Sequence, residues 1–438
     1  MNKDKSRLVK FEPKTIKLTK NEAQVLKLLV EAGEMIASIY QLQENPEFLG
    51  ANFYPHDASK QEIEETAKVD PEILSSYTVV ERVNGKLATI SYHIKYATLL
   101  KPLVDKLIEA SKLTDNKNFA KLLKLQAKAL LTGSYEEAII AKLKMKPYKL
   151  DFSIGPDDRL DDQLFFAKAS YEGWVGVVDL EQTKVFNKYK DLILSARRKA
   201  LIPSEIINYN ISNVNAKVED VVLLSGLLAK TMFVGLNFPS DFSIIEKNGL
   251  EIVLFKQINQ LRLDEQLLPI FKKIFSKEFR QGFTLEDLKR GNIDYIALHE
   301  LAHSYLNYRN VNKNLQDFAP AIKELAATAL GIRVCGSLLL KDVVTTKQLE
   351  SMIVAFICRS FYLAERRKKD KSMLSYTLGG TIFINFMLEN GALKQLKGMT
   401  IPNFMKIFVS LHELSSILER LLSSGTREDA EFFVKKYE

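Results

Sequence analysis

The sequence contains very little cysteine, tryptophan or histidine. Among its 438 residues there are two cysteines, one tryptophan and five histidines. Cys335 and Cys358 both stand in apolar, helix-like surroundings, which is typical of thiols in a hydrophobic core. The sequence therefore indicates no disulfide framework, and we expect the chain to fold in a reducing compartment.

Long apolar runs are also missing. No apolar stretch reaches 18 residues without a charged side chain, and the closest, residues 221–236, contains Lys230. This pattern excludes a membrane-spanning helix. The first seven residues are charged and lack the apolar core of a signal peptide. Together these features predict a cytoplasmic protein.

Charge of either sign is spread along the chain. There are 62 basic and 54 acidic side chains, which give a net charge of +8. The densest basic run, residues 366–371, has no aromatic residues interleaved with it and no nucleic-acid motif beside it. We therefore expect no nucleic-acid partner and no membrane partner, and we interpret the charge as favouring solubility with a mild preference for acidic ligands.

The pattern of secondary structure changes near residue 256. Strand signals lie in the first half, at a hairpin over 77–92 with an Asn84-Gly85 turn and at 171–179 and 251–255. The second half is predicted to be helical at 264–279, 284–308, 319–340, 346–367, 375–390, 400–423 and 426–437. We predict a mainly helical α+β fold of two lobes with a cleft: a mixed lobe over 1–255 and an all-helical lobe over 256–438. Part of 171–200 could pack on the second lobe.

A His-Glu-Leu-Ala-His motif lies at residues 299–303. It belongs to a predicted helix over 292–307, with Asp294 as the expected cap. His299 and His303 lie four residues apart, so their imidazoles project from one helix face and can reach a single Zn²⁺. The alternative is a pair of solvated helix histidines, but histidine is scarce here, so a chance match to this motif is not expected.

Glu300 and Glu324 supply the carboxylates that such a site needs. Glu300 follows the first histidine and is the predicted general base. Glu324 lies on a second predicted helix and precedes a run of small residues, 325–329, that would let two helices approach closely. Alternatively, Glu324 is a surface glutamate that forms an ion pair with Lys323 or Lys313. Two histidines and one carboxylate leave a fourth position for water, so we predict one catalytic Zn²⁺ per chain.

Further short segments lie on both sides of this motif, and their order along the chain can be compared with that of a known family. They are Asn52-Phe-Tyr-Pro-His-Asp, residues 70–82, Tyr171-Glu-Gly-Trp-Val-Gly-Val-Val, Gly235-Leu-Asn-Phe-Pro, Lys323-Glu-Leu-Ala-Ala and Phe386-Met-Leu-Glu-Asn-Gly-Ala. With the His-Glu-Leu-Ala-His motif, they resemble the dipeptidyl peptidase III family of zinc aminopeptidases, particularly its shorter bacterial branch. The family often spaces its histidines with one more residue between them.

The resemblance implies a two-lobed enzyme that removes dipeptides from the N-termini of short peptides. His299, His303 and Glu324 match the family's zinc ligands, and Glu300 matches its catalytic glutamate. For the substrate's amino terminus, the matching positions are Asp158, Leu160, Asn237 and Ser240, where the family has Glu, Tyr, Asn and Asn. Leu160 lacks the phenol hydroxyl, and Ser240 is a weaker replacement.

The family also stabilises the oxyanion with a histidine near Leu378-Gly379, where this sequence has none. Tyr376, a predicted catalytic residue, is one candidate donor in its place, and Arg359, a predicted substrate-binding residue, is the other. Without any donor, the rate would fall by about 10²–10³.

The sequence thus predicts a zinc metallopeptidase acting on short peptides. Two alternatives stay open: a peptide-binding relative that holds zinc but turns over slowly, and a zinc hydrolase of a non-peptide amide or ester. The oligomeric state stays open as well, with a monomer slightly favoured.

Overall fold

The computed structural model describes residues 7–12, 17–198, 214–304, 306, 308, 310–367 and 374–438. The chain divides into two compact units. The first contains Met1–Thr183, Lys217–Phe233 and Asn237–Lys256. The second contains Lys184–Ala216, Val234–Leu236 and Gln257–Glu438. None of the described helices is long and apolar enough to span a bilayer.

Helices α1 to α9 and strands β1 to β8 precede residue 256. The helices are α1 Lys20–Gln43, α2 Lys60–Val69, α3 Tyr92–Lys95, α4 Ala97–Leu113, α5 Lys117–Thr132, α6 Glu136–Leu143, α7 Leu180–Arg198, α8 Leu227–Thr231 and α9 Phe242–Asn248. The strands are β1 Leu8–Lys10, β2 Thr78–Val83, β3 Lys86–Ser91, β4 Leu150–Pro156, β5 Tyr171–Val178, β6 Val214–Gly226, β7 Gly235–Phe238 and β8 Leu250–Phe255.

The later elements are mostly helical. They are α10 Lys256–Arg262, a π-helical turn at Leu263–Leu267, α11 Leu268–Ile274, α12 Lys277–Gln281, α13 Leu285–His303, α14 Val311–Leu315, α15 Ala319–Leu339, α16 Thr346–Arg366, α17 Leu374–Glu389, β9 Leu393–Leu396, β10 Met399–Pro402, α18 Phe404–Ser424 and α19 Arg427–Tyr437. The mainly helical α+β fold is confirmed.

The first unit is built on a sheet whose described strands run in the order β4-β5-β6-β8-β7, with β1 paired to β6. β4 pairs antiparallel with β5, and β5 pairs antiparallel with β6. Every residue of β5 is buried, and Trp174 at its centre is 0% exposed. Helix α1 packs against β5 and α4, so this sheet is covered rather than solvated.

Buried charges connect the strands of this sheet. Lys142 of α6 and Lys217 of β6 each form ion pairs with both Asp151 of β4 and Glu251 of β8, at 2.5–3.2 Å. All four side chains are at most 4% exposed. Burial and the charge of Asp151 raise the pKa of neighbouring Glu219 well above its ordinary value, so this carboxyl keeps its proton. Two cations therefore face two carboxylates in the buried interior of this unit.

Local sequence signals explain many element boundaries. Thr19 forms a capping box with Glu22 at the start of α1, and Thr345 forms one with Gln348 at the start of α16. Asn84 and Gly85 both adopt positive φ between β2 and β3, as a two-residue hairpin turn requires.

The expectation that strands are confined to the first half is wrong. β9 and β10 form an antiparallel hairpin at 393–402, so helix α18 begins at Phe404 rather than near residue 400. Lys397 and Gly398 turn the chain with positive φ. A Lys-Gly turn between two four-residue strands is a weaker sequence signal than the Asn-Gly turn of the first hairpin.

Other boundaries differ as well. The predicted helix at 264–279 is interrupted at Phe275, because the Ser276 side chain caps a new helix, α12. Most of strand β6 was not predicted, because its nearly continuous buried run lacks the alternation that marks a strand. The sequence also predicts a helix over about 180–200 and a loop or edge strand at 208–215, and both extend into 199–213, outside the described residues.

Candidate metal and catalytic site

Helix α13 carries the His-Glu-Leu-Ala-His motif at its C-terminal end. The helix begins with a capping box between Thr284 and Asp287 and ends at His303. The predicted cap, Asp294, is wrong: this residue lies inside the helix, is 2% exposed and forms an ion pair with Arg290 at 2.9 Å. The predicted extension to residue 307 is also wrong, since Ser304 ends the helix.

Helix α15 brings Glu324 to this end of α13. Gly331 lies two turns after Glu324, and a Cβ built there would be 2.8 Å from the carbonyl carbon of Leu298. A side chain at this position would therefore hold the two helices apart. Because glycine has no side chain, the backbone of α15 can approach the turn of α13 that carries His299.

Three potential ligand atoms converge where these helices meet. The Nε2 atoms of His299 and His303 lie 3.1 Å apart. The carboxylate oxygens of Glu324 lie 3.4 Å from Nε2 of His299 and 3.7 Å from Nε2 of His303. Within the described part of the chain, this is the group of His, Cys, Asp or Glu residues whose ligand atoms all lie within 4.8 Å.

These distances fit a divalent cation. Ligand atoms about 2.1 Å from a tetrahedral Zn²⁺ lie about 3.4 Å from one another, close to the three separations seen here. Two imidazole nitrogens at 3.1 Å need a proton or a cation between their lone pairs. Glu324 Oε2 is buried and has no hydrogen-bond partner among the described residues, which leaves it available to a metal. The residues present therefore fit Zn²⁺.

Thr328 contacts the ring of His299. Its Oγ1 donates to the backbone carbonyl of Glu324 at 3.3 Å and lies 2.8 Å from Nδ1 of His299. With its hydrogen on that carbonyl, the hydroxyl can accept a hydrogen from Nδ1. This arrangement favours the tautomer that leaves a lone pair on Nε2, the nitrogen at the converging ligand atoms. Sequence reasoning missed Thr328, because it lies 29 residues after His299 on another helix and no local motif marks it.

The electrostatics of the group favour an ionised carboxylate. Burial alone would raise the pKa of Glu324, but His303 and His299 together hold it well below its usual range. Burial would lower the pKa of His303, yet the Glu324 charge raises it overall. The alternative pairing of Glu324 with Lys323 is not seen, since the Lys323 amine donates to Asn312 Oδ1 at 2.7 Å.

Glu300 and Tyr376 lie in the same neighbourhood. Glu300 lies between the two histidines in sequence, is 9% exposed and interacts electrostatically with His303 and Tyr376. The charge of Glu324, burial and the charge of Glu300 raise the pKa of the Tyr376 phenol well above its ordinary value. Tyr376 therefore keeps its hydroxyl hydrogen at neutral pH and can donate it.

Arg359 extends this group away from the ligand atoms. Its Nη1 donates to Gln266 Oε1 at 2.6 Å, and its charge interacts with Tyr376. A second arginine, Arg262, interacts with both Arg359 and Tyr376. Sequence reasoning missed Arg262, because it lies almost 100 residues before Arg359 and no local motif marks it.

The residues predicted to bind the substrate's amino terminus belong to the first unit. Asp158 accepts a hydrogen bond from the backbone of Leu160 at 2.6 Å, and burial raises its pKa. The Leu160 side chain is 42% exposed. Asn237 lies in β7, followed by a cis Phe238-Pro239 peptide bond.

Ser240 does not bind Asp158 but its neighbour, Asp157. The backbone of Ser240 donates to Asp157 Oδ1 at 3.1 Å, and its hydroxyl donates to the Asp157 carbonyl oxygen. Burial and the charge of Asp158 raise the pKa of Asp157 to about 7, against the bonds from Ser240. Glu172 is 3% exposed and interacts with both aspartates. Sequence reasoning missed Asp157 and Glu172 as members of this acidic group.

Sequence comparisons with known proteins give distant similarity. The sequence matches no family model. It is 24% identical over 420 residues to Nudix hydrolase 3 of Arabidopsis thaliana, covering 89% of this chain and 54% of that protein. The chain therefore spans about half the length of this relative.

Two solved structures share the fold over nearly the whole chain. Dipeptidyl peptidase III from Caldithrix abyssi has a TM-score of 0.87 at 22% identity, covering 99% of this chain and 93% of that one. Dipeptidyl peptidase III from Corallococcus sp. strain EGB has a TM-score of 0.83 at 21% identity, covering 99% and 91%. The resemblance that the sequence indicates is thus confirmed for the fold, and this chain has the fold of the bacterial dipeptidyl peptidase III structures.

Proposed function

We propose that this chain is a zinc-dependent peptidase of the dipeptidyl peptidase III type, which releases dipeptides or other short fragments from the N-termini of oligopeptides. The observation that carries the proposal is the convergence of His299, His303 and Glu324 at separations of 3.1–3.7 Å, with Glu300 between the two histidines. The shared fold supports it, because two solved proteins with this fold are named as peptidases of that type.

His299, His303 and Glu324 would hold one Zn²⁺ per chain. When bound, the ion supplies Lewis acidity and a lowered pKa for water, toward about 7. Glu300 accepts the proton from the attacking water and passes it to the leaving amine. The Tyr376 hydroxyl donates to the scissile carbonyl oxygen as negative charge develops there.

In the first unit, Asp158, Asn237 and Ser240 would bind the amino terminus of the peptide. Asp158 provides negative charge, and Asn237 provides an amide. Ser240 contributes through Asp157, to which it is bonded. Ionised Asp157 would add a second carboxylate for the ammonium group.

The proposal is tested with dipeptidyl-arylamide substrates and the zinc-loaded chain. We expect cleavage that a chelator abolishes and added Zn²⁺ restores. The Glu300→Ala variant should retain zinc while its turnover falls by about 10²–10⁴. Glu286→Ala is the matched control, because Glu286 is exposed in the first turn of the same helix.

Two results would contradict the proposal. Cleavage that survives complete metal removal would exclude the zinc mechanism, and undiminished turnover in Glu300→Ala would remove Glu300 from it. Peptide binding by calorimetry without chelator-sensitive cleavage would instead identify a peptide-binding protein.

A further inference from the structure

Two arginines lie side by side at the junction of α10 and α16. Arg262 is the last residue of α10, and Gln266 lies four residues later in the π-helical turn. Residues four apart on a helix lie on one face, so Arg262 and Gln266 face the same way. Arg359 of α16 donates to Gln266 at 2.6 Å, which brings its guanidinium to the face that carries Arg262.

Tyrosines surround the two guanidinium groups. Arg359 stacks over the Tyr362 ring at 5.5 Å. Arg262 interacts with Arg359, Tyr376 and Tyr295 as well as with Tyr362. Burial, together with the adjacent Arg359, lowers the pKa of Arg262 to about 10, so the Arg262 guanidinium remains charged at neutral pH. Two like charges held together in a partly buried place favour a bound anion.

Tyr376 and Tyr295 connect the arginines to the ligand group. Each tyrosine interacts with both arginines and with both Glu300 and Glu324. Tyr295 also lies one helical turn before His299 on α13. The arginines are therefore neighbours of the proposed reaction centre within the same unit.

The balance of charge changes when a metal is present. Glu300 and Glu324 lie in the same neighbourhood as the arginines, because both carboxylates interact with Tyr295 and Tyr376. A divalent cation held by Glu324 and the histidines would offset the negative charge of these carboxylates. The two guanidinium groups would then add positive charge beside the scissile bond, which favours a substrate anion.

We infer that Arg262 and Arg359 form a subsite for the C-terminal carboxylate of a short peptide, on the leaving-group side of the cleaved bond. A guanidinium binds a carboxylate with two parallel hydrogen bonds, and two guanidiniums can surround it. An extended peptide advances about 3.3 Å per residue, so the carboxylate of a peptide with one or two residues after the cleaved bond stays near the reaction centre. The subsite selects tripeptides and tetrapeptides with a free C-terminus.

This inference rests on the proposed function, and a matched pair of substrates tests it. The pair is one tetrapeptide with a free C-terminal carboxylate and the same tetrapeptide as its C-terminal amide. We expect the zinc-loaded wild type to prefer the acid by at least about tenfold in kcat/KM. Arg262→Gln and Arg359→Gln should each bring that ratio to within about twofold, mainly through a higher KM for the acid. Arg262→Lys should keep part of the preference, because lysine keeps the positive charge but cannot form the bidentate hydrogen bonds of a guanidinium.

Arg420→Gln is the control, since Arg420 is exposed on α18, and it should retain the full ratio. Equal cleavage of acid and amide by the wild type would overturn the subsite and leave the peptidase proposal standing. If the wild type cleaves neither peptide, the peptidase proposal fails, and calorimetric binding of acid and amide to the wild type decides the subsite. Circular dichroism shows whether each Gln variant folds. If one does not, the corresponding Lys variant is used in its place. An undiminished preference for the acid over the amide in Arg262→Lys and Arg359→Lys would contradict bidentate binding of the carboxylate.

Discussion

Thr328 Oγ1 lies 2.8 Å from Nδ1 of His299 and donates to the Glu324 carbonyl at 3.3 Å, so its lone pairs can accept the imidazole hydrogen. One hydroxyl on α15 thereby favours one tautomer of a histidine on α13. The proposed ligand set depends on this contact between helices, because only the lone pair on Nε2 can reach the cation.

Replacing Thr328 with valine removes the hydroxyl and keeps the shape of the side chain. We expect Thr328→Val to bind Zn²⁺ about 10- to 100-fold more weakly, since second-layer partners of ligating histidines contribute at this level. Competition against a chelator of known affinity measures the change. Thr328→Ser, which keeps the hydroxyl, should bind almost as tightly as the wild type. Equal affinities of the valine and wild-type chains would show that the contact does not orient His299.

Replacing Gly331 with alanine tests the close approach of α13 and α15. The added Cβ would meet the backbone of Leu298 at 2.8–2.9 Å, so the helices must move apart. We expect the free energy of unfolding to fall by about 1–3 kcal/mol, as measured in urea, and zinc affinity to fall with it.

Gly379→Ala is the matched control for Gly331→Ala. Gly379 is also a helical glycine, but a Cβ there would make only ordinary contacts at 3.6–4.0 Å. This substitution should leave stability unchanged or raise it by up to about 1 kcal/mol, because alanine favours helix more than glycine does. If both substitutions behave alike, close packing at Gly331 does not position Glu324.

The pH dependence of stability should reveal Asp157. Its pKa is raised to about 7 in the folded chain by burial, whereas an exposed aspartate titrates near about 4. Between these values the unfolded chain has already lost the proton that the folded chain retains. Stability is therefore lost as the pH rises from about 4 to about 7 and is level above that.

The Asp157→Asn variant keeps an oxygen acceptor for Ser240 but cannot titrate. We expect its urea midpoint to fall less than the wild-type midpoint over that pH range. The Asp115→Asn variant is a control on the surface, where the wild-type pH dependence should persist. Parallel curves for the wild type and Asp157→Asn would contradict the buried, protonated state of this carboxyl.

The buried ion pairs of the first unit predict a large loss of stability from a single substitution. Lys217→Met leaves Asp151 and Glu251 with one cation between them instead of two. We expect the free energy of unfolding to fall by about 3–5 kcal/mol, the usual result of breaking a buried pair from one side. Lys435→Met removes an ion pair whose lysine is 70% exposed and should cost less than about 1 kcal/mol. Similar small losses in both variants would show that water reaches the buried group.

Features that are signalled by residues close together in the chain could be predicted from the sequence. The four-residue spacing of His299 and His303 needs only a helix to place both rings on one face, and the helix is signalled by its own periodicity. Glu324 could be predicted because small residues follow it on a recognisable helix. The helix over 284–308 was predicted with the correct start, at Thr284, but the cap assigned to Asp294 was wrong, because an aspartate inside a helix resembles a cap in the sequence alone.

Contacts between distant segments could not be predicted in this way. Thr328 is an ordinary helical threonine until the neighbouring helix is placed, and Arg262 gains meaning only beside Arg359. The same limit applies to Asp157 and Glu172, which are adjacent only after β4 and β5 have paired. The roles of these residues and of the predicted ligands stay predictions to be measured.

Metal content is the most direct test of the proposed zinc site. The chain should be purified without added metal, loaded with Zn²⁺, dialysed and analysed by elemental mass spectrometry. We expect one Zn²⁺ per wild-type chain and almost none in His303→Ala or Glu324→Ala, while His412→Ala, which alters a histidine on α18, should retain one. A wild-type chain that binds no divalent cation, or a Glu324→Ala chain that binds Zn²⁺ as tightly as the wild type, would contradict the proposed site.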